Sequence, residues 1–91
     1  MKSISLNENL TLVIEPVENK IRLVVVKADN ELACRIERVS KLKAFLAGND
    51  QMLFKGRLQL VKLDGEVEII VNKISIGRIA LNSFSQLLSN I

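Results

Sequence analysis

Apolar and polar residues alternate along most of this chain, the pattern of strands that bury one face and wet the other. Leu12 and Ile14 alternate with Val13 and Glu15 as far as Pro16, and the pattern turns at Glu18-Asn19. From Lys20 to Lys27 a second strand sends Ile21, Leu23 and Val25 one way and Lys20, Arg22 and Val24 the other. Asp29-Asn30 offers residues that tolerate positive φ in a turn. A third strand, Glu31 to Val39, is expected to point Leu32, Cys34 and Ile36 inward and Glu31, Arg35 and Glu37 outward. At Ser40 the period changes: Leu42, Phe45 and Leu46 fall at helical spacing, with Ser40 as the expected N-cap and Gly48-Asn49 as the end.

The second half runs through the same programme. A long strand from Leu53 to Leu63 reaches Asp64-Gly65, a strong hairpin signal, and Glu66 to Val71 returns from it. Asn72-Lys73 makes another two-residue turn into Ile74 to Ala80, and Asn82 is placed to cap a closing helix with Phe84, Leu87, Leu88 and Ile91 on one stripe. Ile21, Leu23, Val25 and Lys27 align with Val67, Ile69, Val71 and Lys73, and Arg35-Ile36 with Arg78-Ile79. The expected fold is therefore α+β: one domain over residues 1–91, with antiparallel sheets from a duplicated βββα unit (repeats 10–49 and 51–91) and two short helices.

Composition narrows what such a fold can do. Of 91 residues, 33 are Leu, Ile or Val and three are aromatic, Phe45, Phe54 and Phe84. The core is thus aliphatic, and rings for stacking bases or sugars are scarce. There is no His, so neither a catalytic triad nor a Cys/His nucleophile can be assembled; the single Cys34 reads as a buried thiol without disulfide or metal. The carboxylates sit among Lys and Arg on strands, and Gly56, Gly65 and Gly77 have no phosphate-loop spacing, so an enzyme is not expected, nor a cofactor. No signal-peptide core or membrane-length apolar run occurs, which leads to a cytoplasmic expectation. The formal charge of +3 permits an anionic partner without requiring one.

The segment Ile76-Gly77-Arg78-Ile79-Ala80-Leu81-Asn82, running into Ser83-Phe84-Ser85-Gln86-Leu87-Leu88, resembles the strand-to-helix junction of the positive cofactor 4 and Whirly-type single-stranded DNA-binding regulators. The resemblance is sharpest over residues 66–91 and reaches the first half only through the repeat. It implies single-strand binding across a curved sheet by basic and aromatic residues, in replication, recombination or transcription control. This chain departs from that pattern in its lack of aromatics on the sheet faces.

On this reading Lys20, Arg22, Arg35, Lys55, Arg57 and Arg78 are the candidate nucleic-acid contacts, with Lys55, Arg57 and Gln59 on one strand face and Arg35 and Arg78 at matching third-strand positions. A second reading explains the same residues as cross-strand ion pairs: Glu66 and Glu68 lie across the Asp64-Gly65 hairpin from Lys55 to Gln59 or its neighbours, and Glu15, Glu31 and Glu37 can flank Lys20 and Arg22. Phe54 shares parity with Met52, Leu58 and Leu60, which favours core packing over a stacking platform; Lys41 and Lys43 fall on the polar side of the first helix. The terminal stripe of Phe84, Leu87, Leu88 and Ile91 is too short to stand alone, and short strands leave edges that Pro16 alone can protect, so a homodimer through helices or edges is expected. The alternative function is a protein-interaction module that uses those strand edges and stripes to bind an unidentified protein partner.

Overall fold

A computed structural model describes residues 2–7 and 9–89. Ten elements follow one another: β1 (Lys2–Ser5), β2 (Leu10–Val17), β3 (Lys20–Lys27), β4 (Asn30–Arg38), α1 (Val39–Ala47), β5 (Met52–Leu53), β6 (Leu58–Leu63), β7 (Glu66–Val71), β8 (Ile74–Ala80) and α2 (Leu81–Ser89). They form two antiparallel four-stranded sheets in the orders β1-β2-β3-β4 and β5-β6-β7-β8. The α+β class agrees with the hydrophobic pattern; each half carries one strand more than expected, β1 in the first and the short β5 in the second.

Turn chemistry sets the registers. Asp64 and Gly65 both have positive φ (46° and 80°), as do Asn72 and Lys73 (51° and 68°), the backbone that matches the twist of a two-residue hairpin. In the first half the second hairpin turns at Ala28-Asp29, with Ala28 at φ 54°, one residue before the expected Asp29-Asn30. The halves also share backbone detail. The first helical N–H donates to the hairpin turn two strands upstream in both, Val39 to the Asn19 carbonyl at 3.2 Å and Leu81 to the Gly65 carbonyl at 2.9 Å. Each sheet has a bulge on its last strand, opposite Val25/Val26 and opposite Ile69/Ile70.

Those bulges decide which face each following side chain takes, because a one-residue slip turns every later side chain over. Leu32 is the extra residue in β4: Ala33 pairs with Val25 and is buried, Cys34 is exposed, and Ile36 is 52% exposed. Leu32 packs partly buried against the core as expected, but the inward placement of Cys34 and Ile36 is overturned, and with it the buried thiol. Arg35 lies opposite Leu23, on the inner side of the sheet.

The core is a single aliphatic cluster built from both inner faces, including Leu12, Ile14, Leu23, Leu60, Val67 and Ile69, closed by Leu42, Phe45 and Leu46 of α1 and Phe84 and Leu88 of α2. Phe84 and Leu88 are 0% and 1% exposed, so the chain itself covers most of the α2 stripe; Leu87 is partly buried against the same core, and Ile91 lies outside the described residues. The helices begin one residue earlier than their expected caps: α1 is preceded by Arg38, whose side chain makes no cap bond, and Ser40 and Asn82 sit inside their first turns. Gly48 ends α1 because a Cβ there would meet the Ala44 carbonyl oxygen at 2.7 Å.

Neither helix carries a basic residue in its last turn, and both are served from the opposite half. Lys62 of β6 donates from Nζ to the carbonyl oxygens of Phe45 (2.5 Å) and Gly48 (2.7 Å), which satisfies α1 carbonyls and places a positive charge at the negative end of the helix. Lys2 of β1 reaches the Leu87 carbonyl of α2 at 3.5 Å. Lys62→Met is expected to lower stability by about 1–2 kcal/mol, since it removes charge-assisted bonds from a half-buried helix end. Thermal denaturation by circular dichroism checks this, and an unchanged midpoint contradicts it. Lys73→Gly is expected to act in the opposite direction, raising stability by about 1 kcal/mol as it relieves the positive φ at a residue with a Cβ.

Candidate anion-binding cleft

The six expected nucleic-acid contacts do not form one stripe. Lys20 and Arg22 share the outer face of the first sheet, and Arg78 lies on the outer face of the second, opposite Glu68. Arg35 sits on the inner side of β4. Lys55 and Arg57 lie on no strand. The expected long strand from Leu53 to Leu63 is interrupted after Leu53, and residues 54–57 bend before β6 begins at Leu58. Phe54, with φ 73°, and Gly56 explain the break: the first takes the left-handed region, and the second weakens a strand interior.

On the outer faces the two central arginines are held by carboxylates. Arg22 lies 2.7 Å from Glu31 and 3.9 Å from Glu15; Arg78 lies 3.5 Å from Glu68 and 3.7 Å from Glu66. Ser75 donates to the Glu68 carboxylate at 2.9 Å and helps fix that cluster. These partly exposed pairs contribute modestly to stability, each on the order of 0.2–1 kcal/mol, and they engage the Arg22 and Arg78 charges, while Lys20 and its register partner Arg38 carry no ion pair among the described residues.

A different group of cations does converge. Arg35, Lys41 of α1 and Lys55 line an open cleft of about 500 Å³ together with Met52, Leu53, Phe54 and Gly56. Among the described residues no carboxylate lines it, although Lys41 is also 3.6 Å from Glu37 one helical turn away. The Arg35 guanidinium lies 4.8 Å from the centre of the Phe54 ring, and its Nη1 is 3.5 Å from where a Cβ on Gly56 would stand. Phe54 is only 7% exposed, so its ring serves as a support that holds the guanidinium at the cleft. The left-handed backbone at Phe54 turns the ring under Arg35 while the chain carries Lys55 past it; a bulky residue in that conformation stores about 1 kcal/mol or more of strain.

Of the six expected residues, the structure brings Arg35 and Lys55 together. Lys41, assigned from sequence to a solvated helix face, is the third cation, and Phe54, buried in the core as expected, also backs the cleft. The signal that points to them is the interruption Phe54-Lys55-Gly56-Arg57 within an otherwise regular strand pattern. Among the described residues, no three His, Cys, Asp or Glu side chains converge as metal ligands, and no helix is long and apolar enough to cross a membrane. The exposed Cys34 beside Arg35 gives a direct check on the inverted face of β4: a thiol-specific chromogenic reagent is expected to label one thiol per chain without denaturant, and a thiol that reacts only after unfolding contradicts the placement. Compared with models of protein families, with characterised proteins and with solved structures, the chain matches none.

Proposed function

We propose that this chain is a small non-enzymatic nucleic-acid-binding protein that takes single-stranded DNA at the cleft between β4, α1 and the bend at residues 54–57. The observation that carries the reading is the convergence of Arg35, Lys41 and Lys55 on a groove that no carboxylate among the described residues lines, while Arg22 and Arg78 are each held by two. Three cations at one groove suit consecutive phosphates. The flat guanidinium of Arg35, backed by Phe54, offers a surface on which an unstacked base can lie. A single strand presents bases and phosphates together to such a groove, whereas a duplex keeps its bases stacked inside. The site accordingly shifts from a basic sheet face to one sheet edge.

We read the two halves as copies of one strand-and-helix unit, which the matched hairpins, bulges and helix-start bonds support. That repetition and the segment at residues 76–88 are what link the chain to the Whirly-type regulators, and roles in replication, recombination or transcription control follow from the same likeness.

Fluorescence anisotropy with labelled single-stranded and duplex oligonucleotides across a salt series tests the function. Single strands are expected to bind more tightly, with a log–log salt slope of roughly −2, about −0.7 for each of three phosphate contacts. Lys41→Gln combined with Lys55→Glu is expected to flatten that slope by about one unit or more, and Arg22→Gln to leave it unchanged. Absence of binding at low salt, or equal losses from both variants, overturns the assignment.

A further inference from the structure

The first sheet ends in β4, and the long free edge of that strand has no partner among the described residues. Each of the other strand edges is short or covered. The β8 edge carries the Leu6–Asn7 segment: a Cβ at Gly77 would meet the Leu6 Cβ at 3.0 Å, and Asn7 donates to the Ile76 carbonyl at 3.4 Å. β5 has two residues, and β1 has four and is crossed by the Lys2 contact to α2. β1 covers β2 only from Thr11 to Ile14, and Pro16 blocks the stretch beyond it by lacking an N–H. β4 is nine residues long and has no proline.

The register fixes which β4 amides face outward. The two-residue turns make Val17–Lys20 and Lys27–Asn30 hydrogen-bonded pairs, so alternation along β3 directs Ile21, Leu23 and Val25 toward β4. Their partners Glu37, Arg35 and Ala33 are therefore engaged with β3, and the N–H and C=O groups of Cys34, Ile36 and Arg38 point to the free edge.

We propose that this edge is the surface through which two copies of the chain pair, β4 against β4 antiparallel about a two-fold axis at Ile36, giving one continuous eight-stranded sheet. Charge selects that register. Centring the axis on Arg35 or Glu37 opposes like charges, and centring it on Cys34 opposes Glu31 to Glu37. Centring it on Ile36 lets Ile36 exchange both backbone bonds with its copy, sets Cys34 against Arg38, and places Arg35 directly across from Glu37 twice by symmetry. These two fall in the non-hydrogen-bonded pairs, where side chains come closest. Ile36, 52% exposed in one chain, meets its own copy on the outer face. Glu37 is held in place by Lys41 at 3.6 Å and needs little ordering to meet an arginine. Pairing requires no nucleic acid, but it draws on Arg35, which the proposed binding cleft also uses, so sedimentation is run on the protein alone.

Sedimentation velocity on the full chain at high micromolar concentration, with circular dichroism to verify folding, tests the pairing. The wild type is expected at twice its 10.2 kDa mass. Arg35→Glu alone and Glu37→Arg alone each place like charges across the axis and are expected to sediment as monomers. An equimolar mixture of the two restores opposite charges at both positions and is expected to recover the dimer. A monomeric wild type, a single variant as dimeric as the wild type, or a mixture that stays monomeric each overturns the proposal.

Discussion

Two reciprocal contacts between a cation and a phenylalanine ring join the halves of this chain. Arg35 of the first half lies over Phe54 of the second, and Lys62 of the second half lies 4.8 Å from the ring centre of Phe45 in the first. Each cation stands on the inner side of its sheet, Arg35 exposed there and Lys62 half-buried, so each loses only part of its contact with water, at a partial cost. A ring face and backbone carbonyls offset that cost, and each such contact contributes on the order of 0.5–2 kcal/mol. The third phenylalanine, Phe84, is wholly buried in the shared core. A sequence with three aromatics therefore uses two of them as supports for positive charge.

That constraint shapes the rest of the molecule. With aliphatic residues filling most of the inner faces, most charged groups stand on the outer faces and at the margins. On the outer faces Arg22 and Arg78 each sit between two glutamates. At the margin beside β4 the geometry differs, because Phe54 draws Arg35 inward and the bend at residues 54–57 brings Lys55 alongside. The same margin holds the free strand edge. Anion binding and self-pairing are thus read from one region: Lys41 and Lys55 serve the first, Arg35 contributes to both, and Glu37 belongs to the second.

The sequence made six of the strands, both helices and three of the hairpin turns, including Glu18-Asn19, legible because their signals are local. Alternation marks β2, β3 and β7, helical spacing marks Leu42, Phe45 and Leu46, and Asp64-Gly65 and Asn72-Lys73 mark turns. Pairing of Arg22 with Glu15 and Glu31 was legible for the same reason, whereas Glu66 and Glu68, expected across from Lys55 to Gln59, pair with Arg78 instead. The inverted face of β4 was not, since Leu32, Cys34 and Ile36 keep perfect apolar alternation while the bulge at Leu32 turns the strand over. The cleft escaped detection because it depends on a positive φ at Phe54, a conformation that no residue preference signals for phenylalanine. Coverage of the α2 stripe by the chain's own core is a matter of tertiary packing, which helical periodicity alone does not specify.

The central claim is that positive charge is available at the β4 margin, whereas Arg22 and Arg78 on the outer faces are engaged by glutamates. Titrating isotopically labelled protein with a single-stranded oligonucleotide while following backbone amide shifts tests it most directly. The account predicts that the largest changes cluster at Arg35, Lys41 and residues 52–56, with small changes around Arg22 and Arg78. Changes centred on the strands that carry Arg22 and Arg78, with the bend at Phe54 undisturbed, would contradict it.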